Sequence, residues 1–139
     1  MISSIEEYVD VLETLDTDID KYEYIIEMGN DLRLIEDEEL RNKETFVTGC
    51  QSEVWVHYVK DNDNTLQFYA YSESKLVKGL LFILTEAFSG YTPNEMLNFT
   101  ASAIQKIPLG AQLSMQRQLG MMSVFNRMKH IAKQHTASA

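Results

Sequence analysis

Two short runs in the middle of the chain have the period of a β-strand, and they constrain the fold more than any other feature. Over residues 66–71, apolar side chains alternate with glutamine and tyrosine. Residues 54–59 have the same two-residue period but are apolar on both faces of the strand. Between the runs, residues 61–64 read Asp-Asn-Asp-Asn, which are strong turn formers. Two such runs joined by a short turn predict an antiparallel hairpin. Elsewhere apolar residues recur at three- and four-residue spacings, which indicates helices.

Helices are therefore expected on both sides of the hairpin. The first is predicted at about residues 4–15, and a short second one at 22–26 ends at the Gly-Asn pair 29–30. An acidic turn or short helix is expected at 36–40. Ser72 or Ser74 caps a helix that Gly90 ends, and Thr92, followed by proline, begins another. A loop at 108–110 precedes a last helix from about Ser114 to His135. Residues 1–139 thus read as one α+β domain, a small antiparallel sheet with helices packed around it.

The single cysteine bounds the chemistry that the chain can carry. One thiol excludes an internal disulfide and a cysteine-based metal cage within one chain. The first residues lack the basic-then-apolar layout of a signal peptide, and no apolar stretch approaches the ~18 residues of a membrane span. We therefore expect a cytoplasmic protein that does not enter a membrane.

Charge is distributed unevenly along the chain, whose net charge is −9. Residues 1–49 carry 15 acidic and 4 basic side chains, whereas residues 104–139 carry 5 basic side chains and no acidic one. An acidic chain repels phosphate backbones, so nucleic acid is not an expected partner. The basic end complements the dipole of the last helix, or it forms an electrostatic patch for a partner or for another part of this chain.

Cys50 is the candidate reactive residue. It lies between Gly49 and the polar pair Gln51 and Ser52, in a predicted loop that leads into a strand. Loops display side chains that strand interiors hide, and a thiolate is a strong nucleophile. Three interpretations remain open from these residues alone: a nucleophile or sulfur carrier, a buried inert thiol, and a Cys-His hydrolase or transferase. The hydrolase requires a base, and the three histidines, His57, His130 and His135, have no recognisable orienting partner.

Five segments resemble, in order, the motifs of the SufE family, the sulfur-acceptor proteins of iron–sulfur cluster assembly. The most specific segment reads Val-Thr-Gly-Cys-Gln-Ser-Glu-Val-Trp at residues 47–55 and resembles the family's Gly-Cys-Gln-Ser-x-Val-Trp signature. The other four are residues 22–29, 72–80, 89–95 and 113–121. Together they span about residues 20–130.

The resemblance implies a function and a set of partners. Members take the terminal sulfur of a persulfide from a pyridoxal-phosphate (PLP)-dependent cysteine desulfurase, either SufS-like or CsdA-like. They stimulate that enzyme and pass the sulfur to an iron–sulfur scaffold complex. The cofactor belongs to the desulfurase, so none is expected here, and the chain would not be a stand-alone enzyme. A homodimer is compatible with the sequence, but nothing in the sequence requires one.

The resemblance also implies roles for particular residues. Cys50 becomes the persulfide acceptor. The supporting or partner-contacting positions are Glu73, Arg117, Gly49, Gln51 and Ser52. Three neighbours depart from the family's usual residues: Tyr71 replaces an Asp, Leu119 an Asn or Gln, and Met121 a Leu. Because a bare persulfide oxidises readily, we expect apolar neighbours to cover Cys50 until the desulfurase docks and the loop swings out.

Overall fold

A two-stranded antiparallel sheet lies at the centre of the protein. The computed structural model describes residues 7, 10–32, 34–50, 52–100, 102 and 115–136, with the backbone alone at 115–117. Strand β1 (Trp55–Lys60) pairs with strand β2 (Leu66–Tyr71) in a register that sets Trp55 opposite Tyr71. The turn closes through a hydrogen bond of 2.8 Å from the amide of Asp61 to the carbonyl of Thr65. The predicted hairpin is confirmed.

Several helical segments precede the sheet. Helix α1 (Asp18–Met28) continues into a 3₁₀ turn at Gly29–Asp31, and a second 3₁₀ turn covers Glu38–Leu40. The side chain of Thr17 caps α1 by accepting from the amide of Asp20. The helix predicted at 4–15 lies partly outside the described residues. Within them, residues 10–14 are helical.

Further helices follow the sheet within the described part of the chain. Helix α2 (Lys75–Phe88) is capped by Ser74, and the chain then turns at Gly90 with φ 92°, a conformation that favours glycine. Helix α3 (Pro93–Leu97) begins with a capping box between Thr92 and Glu95. Helix α4 (Met115–Thr136) matches the predicted last helix. The loop predicted at 108–110 lies outside the described residues.

The hydrophobic core lies between the sheet and helices α2 and α4. One face of β2 is buried, at Leu66, Phe68 and Ala70, because alternate side chains of a strand point to the same side, whereas β1 buries Val56 alone. Helix α2 covers this face with a nearly continuous apolar surface, and α4 closes the core through Phe125, whose ring packs 5.1 Å from that of Phe88. The largest fully buried side chains include Phe68, Phe88, Phe125, Leu81 and Met128. The predicted α+β class is confirmed.

Helices α1 and α2 cross at very short range. A Cβ built on Gly79 of α2 would overlap the carbonyl oxygen of Ile25 in α1 and lie 2.6 Å from its carbonyl carbon. On the other side of the crossing, a Cβ on Gly29 would lie 2.8 Å from the backbone nitrogen of Gly79. The two backbones therefore touch where both side chains are absent.

Among the described residues, no helix is long and apolar enough to span a membrane.

Candidate functional site

Cys50 lies near the tip of a loop whose base is held by backbone hydrogen bonds. Residues 45–47 run antiparallel to the start of β1. The amide of Val47 donates to the carbonyl of Val54 at 2.9 Å, and the amide of Val56 donates to the carbonyl of Thr45 at 2.8 Å. Residues 48–50 and 52–53 belong to the connection between them. The sequence predicted a loop at this position, and the structure makes it the tip of a short hairpin.

Gly49 allows this tip to lie against helix α4. Its φ of 89° belongs to the left-handed region that residues with a Cβ rarely adopt. A Cβ at this position would also lie 2.6 Å from the hydroxyl oxygen of Ser123 in α4. Both the backbone conformation and the close approach therefore require glycine here, which makes Gly49 a residue that positions the neighbouring cysteine.

The thiol of Cys50 contacts the middle of helix α4. Its Sγ donates a hydrogen bond to the carbonyl oxygen of Gly120 at 3.6 Å, and Cys50 is half-buried. A Cβ on Gly120 would lie 3.6 Å from Sγ, at ordinary van der Waals distance. A larger side chain at position 120 would occupy the space beside the sulfur. Gly120 thus leaves that space open.

A small apolar cavity adjoins the thiol. It measures about 30 Å³, compared with the roughly 10–15 Å³ that a single water molecule needs. Ser52 and Val54 line it from the loop. The remaining wall is made by apolar side chains of α2 and α4, namely Val77, Leu80, Leu81, Leu84, Met121 and Val124. The cavity therefore has room for about one atom of sulfur's size in an apolar environment.

Burial controls the protonation of this thiol. Removal from water disfavours the thiolate and raises the pKa of Cys50 above its ordinary value. Desolvation is the one cause of this shift, so no described charged side chain lowers the pKa of the thiol. At neutral pH the resting cysteine is therefore held largely as the unreactive thiol, which protects it from adventitious oxidation.

The raised pKa predicts slow alkylation of Cys50. Only the thiolate reacts with iodoacetamide, so the rate should rise with pH with a midpoint above about 8.5, the value of an unperturbed cysteine. The chain unfolded in urea supplies the control, and its profile should have the lower midpoint. A folded-state midpoint below that of the unfolded chain would show that a charge, absent from the described surroundings, activates the thiol.

Comparison with known proteins identifies the family. The SufE family, described as an Fe-S metabolism associated domain, matches residues 6–132. The chain belongs to the SufE family. It is 31% identical over 115 residues to the "Cysteine desulfuration protein SufE" of Wigglesworthia glossinidia brevipalpis, covering 82% of this chain and 79% of that protein. It is 33% identical over 103 residues to the "Sulfur acceptor protein CsdE" of Escherichia coli (strain K12), covering 73% and 69%. The resemblance inferred from the five motifs is confirmed.

The fold of this SufE protein is shared with a solved structure as well. The solution structure of a hypothetical protein from Thermus thermophilus superposes with a TM-score of 0.77. The match covers 96% of each chain at 14% sequence identity, which shows that the fold is shared and no more.

The other SufE-motif residues are distributed over two places. Ser52 lines the cavity and Gly49 packs on α4, so both lie with Cys50. Glu73 lies elsewhere, in the turn between β2 and α2, where it is exposed and accepts a hydrogen bond from the hydroxyl of Tyr71 at 2.5 Å. Gln51 lies outside the described residues. Arg117 belongs to α4, but its side chain also lies outside them, so its role stays a prediction.

Tyr71, for which the resemblance implies an aspartate in many members, takes part in a surface cluster. The guanidinium of Arg41 lies 4.1 Å from the centre of its ring, an attractive cation–π distance. The hydrogen bond to the Glu73 carboxylate is the main cause of a raised pKa of the Tyr71 phenol. Tyr71 and Glu73 are therefore paired by a hydrogen bond on the protein surface.

The geometry around Cys50 bears on the two competing interpretations. A hydrolase requires a base near the thiol. Among the described residues, the hydrogen-bond partner of Sγ is the carbonyl of Gly120. His57 lines a different groove, together with Arg127 and His130. An inert core cysteine would be fully buried, whereas Cys50 is only half-buried. Among the described residues, no group of three or more histidine, cysteine, aspartate or glutamate side chains is placed to hold a metal ion.

Gly120 and the apolar lining are the part of the site that the sequence did not identify. Gly120 belongs to the late family motif but was not expected to touch Cys50, which is 70 residues away in the chain. One signal was present: a glycine in a helix interior costs about 1 kcal/mol relative to alanine and therefore has a packing or functional reason.

Proposed function

We propose that this SufE protein accepts sulfane sulfur on Cys50 from a PLP-dependent cysteine desulfurase, stimulates that enzyme, and passes the sulfur to an iron–sulfur cluster scaffold. One observation carries the proposal: a half-buried thiol on a loop tip faces an apolar cavity of about one atom's size, with no base among its described neighbours. The names of the relatives, a cysteine desulfuration protein and a sulfur acceptor protein, support it.

The reaction is a displacement at sulfur. The Cys50 thiolate attacks the terminal sulfur of the persulfide on the donor enzyme, and a new Sγ–S bond forms. The S–S bond of the donor breaks, and its electron pair remains on the donor's own thiolate. The transferred sulfur keeps its oxidation level, so no external oxidant or reductant is needed. Because the chain has one cysteine, no internal thiol can release the sulfur as sulfide.

The cavity can shelter the product. A terminal sulfur added to Sγ extends the side chain by one atom, and the apolar space beside Sγ has the volume for one. Exclusion of water and oxidants would lengthen the life of the persulfide. Reaction with the donor requires the opposite state, in which the tip leaves α4 and enters the enzyme. Departure from α4 would also separate the thiol from the apolar side chains whose desolvation raises its pKa.

Filling the cavity should expose the persulfide without harming the fold. In Gly120→Ala the new methyl group would take the space beside Sγ, while alanine would favour the helix by up to about 1 kcal/mol. Burial of one methylene-sized atom stabilises the sheltered state by about 0.8 kcal/mol. Without that stabilisation, the persulfide of this variant should be alkylated about fourfold faster than the persulfide of the original chain. Timed iodoacetamide labelling, read by mass spectrometry, measures the rate.

Asn126→Ala supplies a matched control for that variant. Asn126 is exposed on the same helix and does not line the cavity. The Cys50 persulfide of this variant should therefore be alkylated at the same rate as that of the original chain. If Gly120→Ala and Asn126→Ala are alkylated equally slowly, the cavity does not shelter the sulfur.

Partner contacts are proposed for the loop and for the neighbouring turn. Gln51 and Ser52 directly follow the reactive cysteine in the chain and would enter the donor together with it. Glu73 presents an exposed carboxylate that accepts a hydrogen bond from Tyr71. Arg117 is proposed as a further contact.

The rate of alanine formation by a PLP-dependent cysteine desulfurase tests the proposed function. With cysteine as substrate and a reductant present, addition of this chain should raise the rate severalfold and saturate as the chain exceeds the enzyme. Boiled chain provides the blank. A rate that stays at its basal value with each member of a panel of SufS-like and CsdA-like enzymes would contradict the proposal.

A further inference from the structure

The segment that leads to Cys50 runs along one face of helix α4. Gly120, Ser123 and Arg127 follow one another at three- and four-residue spacings, so they share a face of the helix. Gly120 accepts the hydrogen bond of the Cys50 thiol, and Ser123 packs against Gly49. Arg127 lies about 10 Å along the helix from Gly120 and binds the chain at residues 44 and 46. One helix face therefore meets the loop in reverse order, from residue 50 back to residue 44.

Arg127 binds the stem of the loop, which we define as residues 44–47. Two nitrogens of its guanidinium donate to backbone carbonyls, one to Glu44 at 2.9 Å and one to Phe46 at 2.6 Å. The backbone groups of Thr45 and Val47 pair with the start of β1. Phe46 lies between these two residues, so its carbonyl points away from β1. Arg127 therefore provides the partner of a carbonyl that the sheet cannot reach.

The stem is ordered by other contacts as well. Val47 is buried in the hydrophobic core. The side-chain oxygen of Asn42 accepts from the amides of Glu44 and Thr45, at 2.9 and 3.3 Å. These contacts fix the shape of the stem, but they do not involve α4. Among the described residues, the two bonds of Arg127 are the hydrogen bonds that join the stem to this helix.

The tip of the loop, at residues 48–50, is held on α4 more weakly. Within the described part of the chain, one hydrogen bond joins it to the helix, from the Cys50 thiol to the carbonyl of Gly120 at 3.6 Å. A thiol is a weak donor, whereas hydrogen bonds from a charged guanidinium are roughly twice as strong as neutral ones. Thr48 and Gly49 are exposed. Separation of the tip from α4 therefore costs less free energy than separation of the stem.

We propose that Arg127 is a positioning residue for Cys50: it holds the stem on α4, so that the tip alone leaves the helix and returns to the same place. Arg127 acts through the backbone of the stem and not on the sulfur. The inference rests on the proposed function in one respect, namely that the tip must leave α4 to meet the donor enzyme. Its test needs no desulfurase, so the two proposals can fail separately.

Arg127→Met tests the proposal, because it removes both bonds and keeps a long side chain. Cys50 should then react with iodoacetamide at neutral pH roughly tenfold faster than in the original chain. That change corresponds to about 1.4 kcal/mol, and hydrogen bonds to charged groups contribute at least as much. Hydrogen exchange at the amide of Val47 should also accelerate, because this amide pairs with β1 only while the stem is in place. The buried amide of Leu66, bound to Tyr91 at the other end of the sheet, should keep its exchange rate.

Lys129→Met is the matched control. Lys129 lies on the same helix, and its ammonium also donates to a backbone carbonyl, that of Phe99, which is not part of the loop. The variant removes the same charge without touching the stem, so Cys50 should keep the alkylation rate of the original chain. Arg127→Lys is the conservative variant. An ammonium keeps the charge but lacks the planar fork that reaches two carbonyls, so it should restore part of the slow rate.

Equal alkylation rates of Cys50 in Arg127→Met and Lys129→Met would overturn the inference. Equal acceleration of hydrogen exchange at Leu66 and Val47 would overturn it too, because Arg127 would then support the whole fold and not the stem. If Arg127→Met does not fold, Arg127→Lys decides in its place. An alkylation rate in Arg127→Lys equal to that of the original chain would then contradict a stem held by two bonds.

Discussion

A Cys50→Ser chain is expected to accept no sulfur and to leave a cysteine desulfurase at its basal rate of alanine formation. Serine has nearly the shape of cysteine, and its hydroxyl can still donate to the carbonyl of Gly120, so the loop should remain in place. A neutral hydroxyl does not attack a persulfide at neutral pH, because the thiolate is the reactive nucleophile in sulfur exchange. The expected effect is therefore a complete loss of function in a folded protein.

Thr48→Ser is the control for that variant. Thr48 lies in the same loop, is exposed, and does not line the cavity, so this conservative change should keep full stimulation. Equal stimulation of the desulfurase by Cys50→Ser and Thr48→Ser would show that the chain activates the enzyme without taking its sulfur.

Gly79→Ala is expected to cause the largest loss of stability. Its methyl group would overlap the backbone of Ile25, and neither helix can yield easily, because backbone and not a flexible side chain is in the way. Helices α1 and α2 would have to separate, which opens the packing around Ile25 and Leu80. Overpacking costs about 1–3 kcal/mol, and we expect a loss at the upper end, about 3 kcal/mol, of the roughly 5–15 kcal/mol that stabilises a domain. Urea unfolding, followed by circular dichroism, measures the midpoint.

Gly120→Ala provides the comparison within the same molecule. Both glycines are buried in helices, but a Cβ at position 120 meets its neighbours no closer than 3.6 Å. This variant should keep or raise the unfolding midpoint while Gly79→Ala lowers it strongly. Equal midpoints for the two variants would mean that the close crossing of α1 and α2 does not exist in solution.

Local patterns in the sequence predicted the elements of the fold well. The hairpin followed from alternation and a turn cluster, and the start of α3 followed from Thr92, Pro93 and Glu95, whose capping box is local by nature. The start of α1 was harder to predict, because the apolar spacing indicated a helix only over 22–26, whereas Thr17 caps one that begins at Asp18 and runs to Met28. The close crossing at Gly79 could not be predicted, since it depends on which helix packs there.

The site was also predicted only in part, because its local features follow from the sequence and its long-range contacts do not. Cys50 and its loop are local features, and the family motif placed Ser52 and Gly49 beside it. The contacts of Cys50 with Gly120, and of Gly49 with Ser123, join residues about 70 positions apart. A helical period shows which residues share a face, but it does not show which loop that face will meet. Tyr71 is a different case, because its bond to Glu73 is local and arises from a residue that the family pattern does not contain.

The intact mass of the chain after incubation with a PLP-dependent cysteine desulfurase and free cysteine tests the central claim most directly. Transfer of one sulfane sulfur to Cys50 predicts a gain of about 32 Da that a thiol reductant removes and that Cys50→Ser never shows. An unchanged mass under conditions in which the enzyme turns over, or the same gain in Cys50→Ser, would contradict the assignment of Cys50 as the sulfur acceptor.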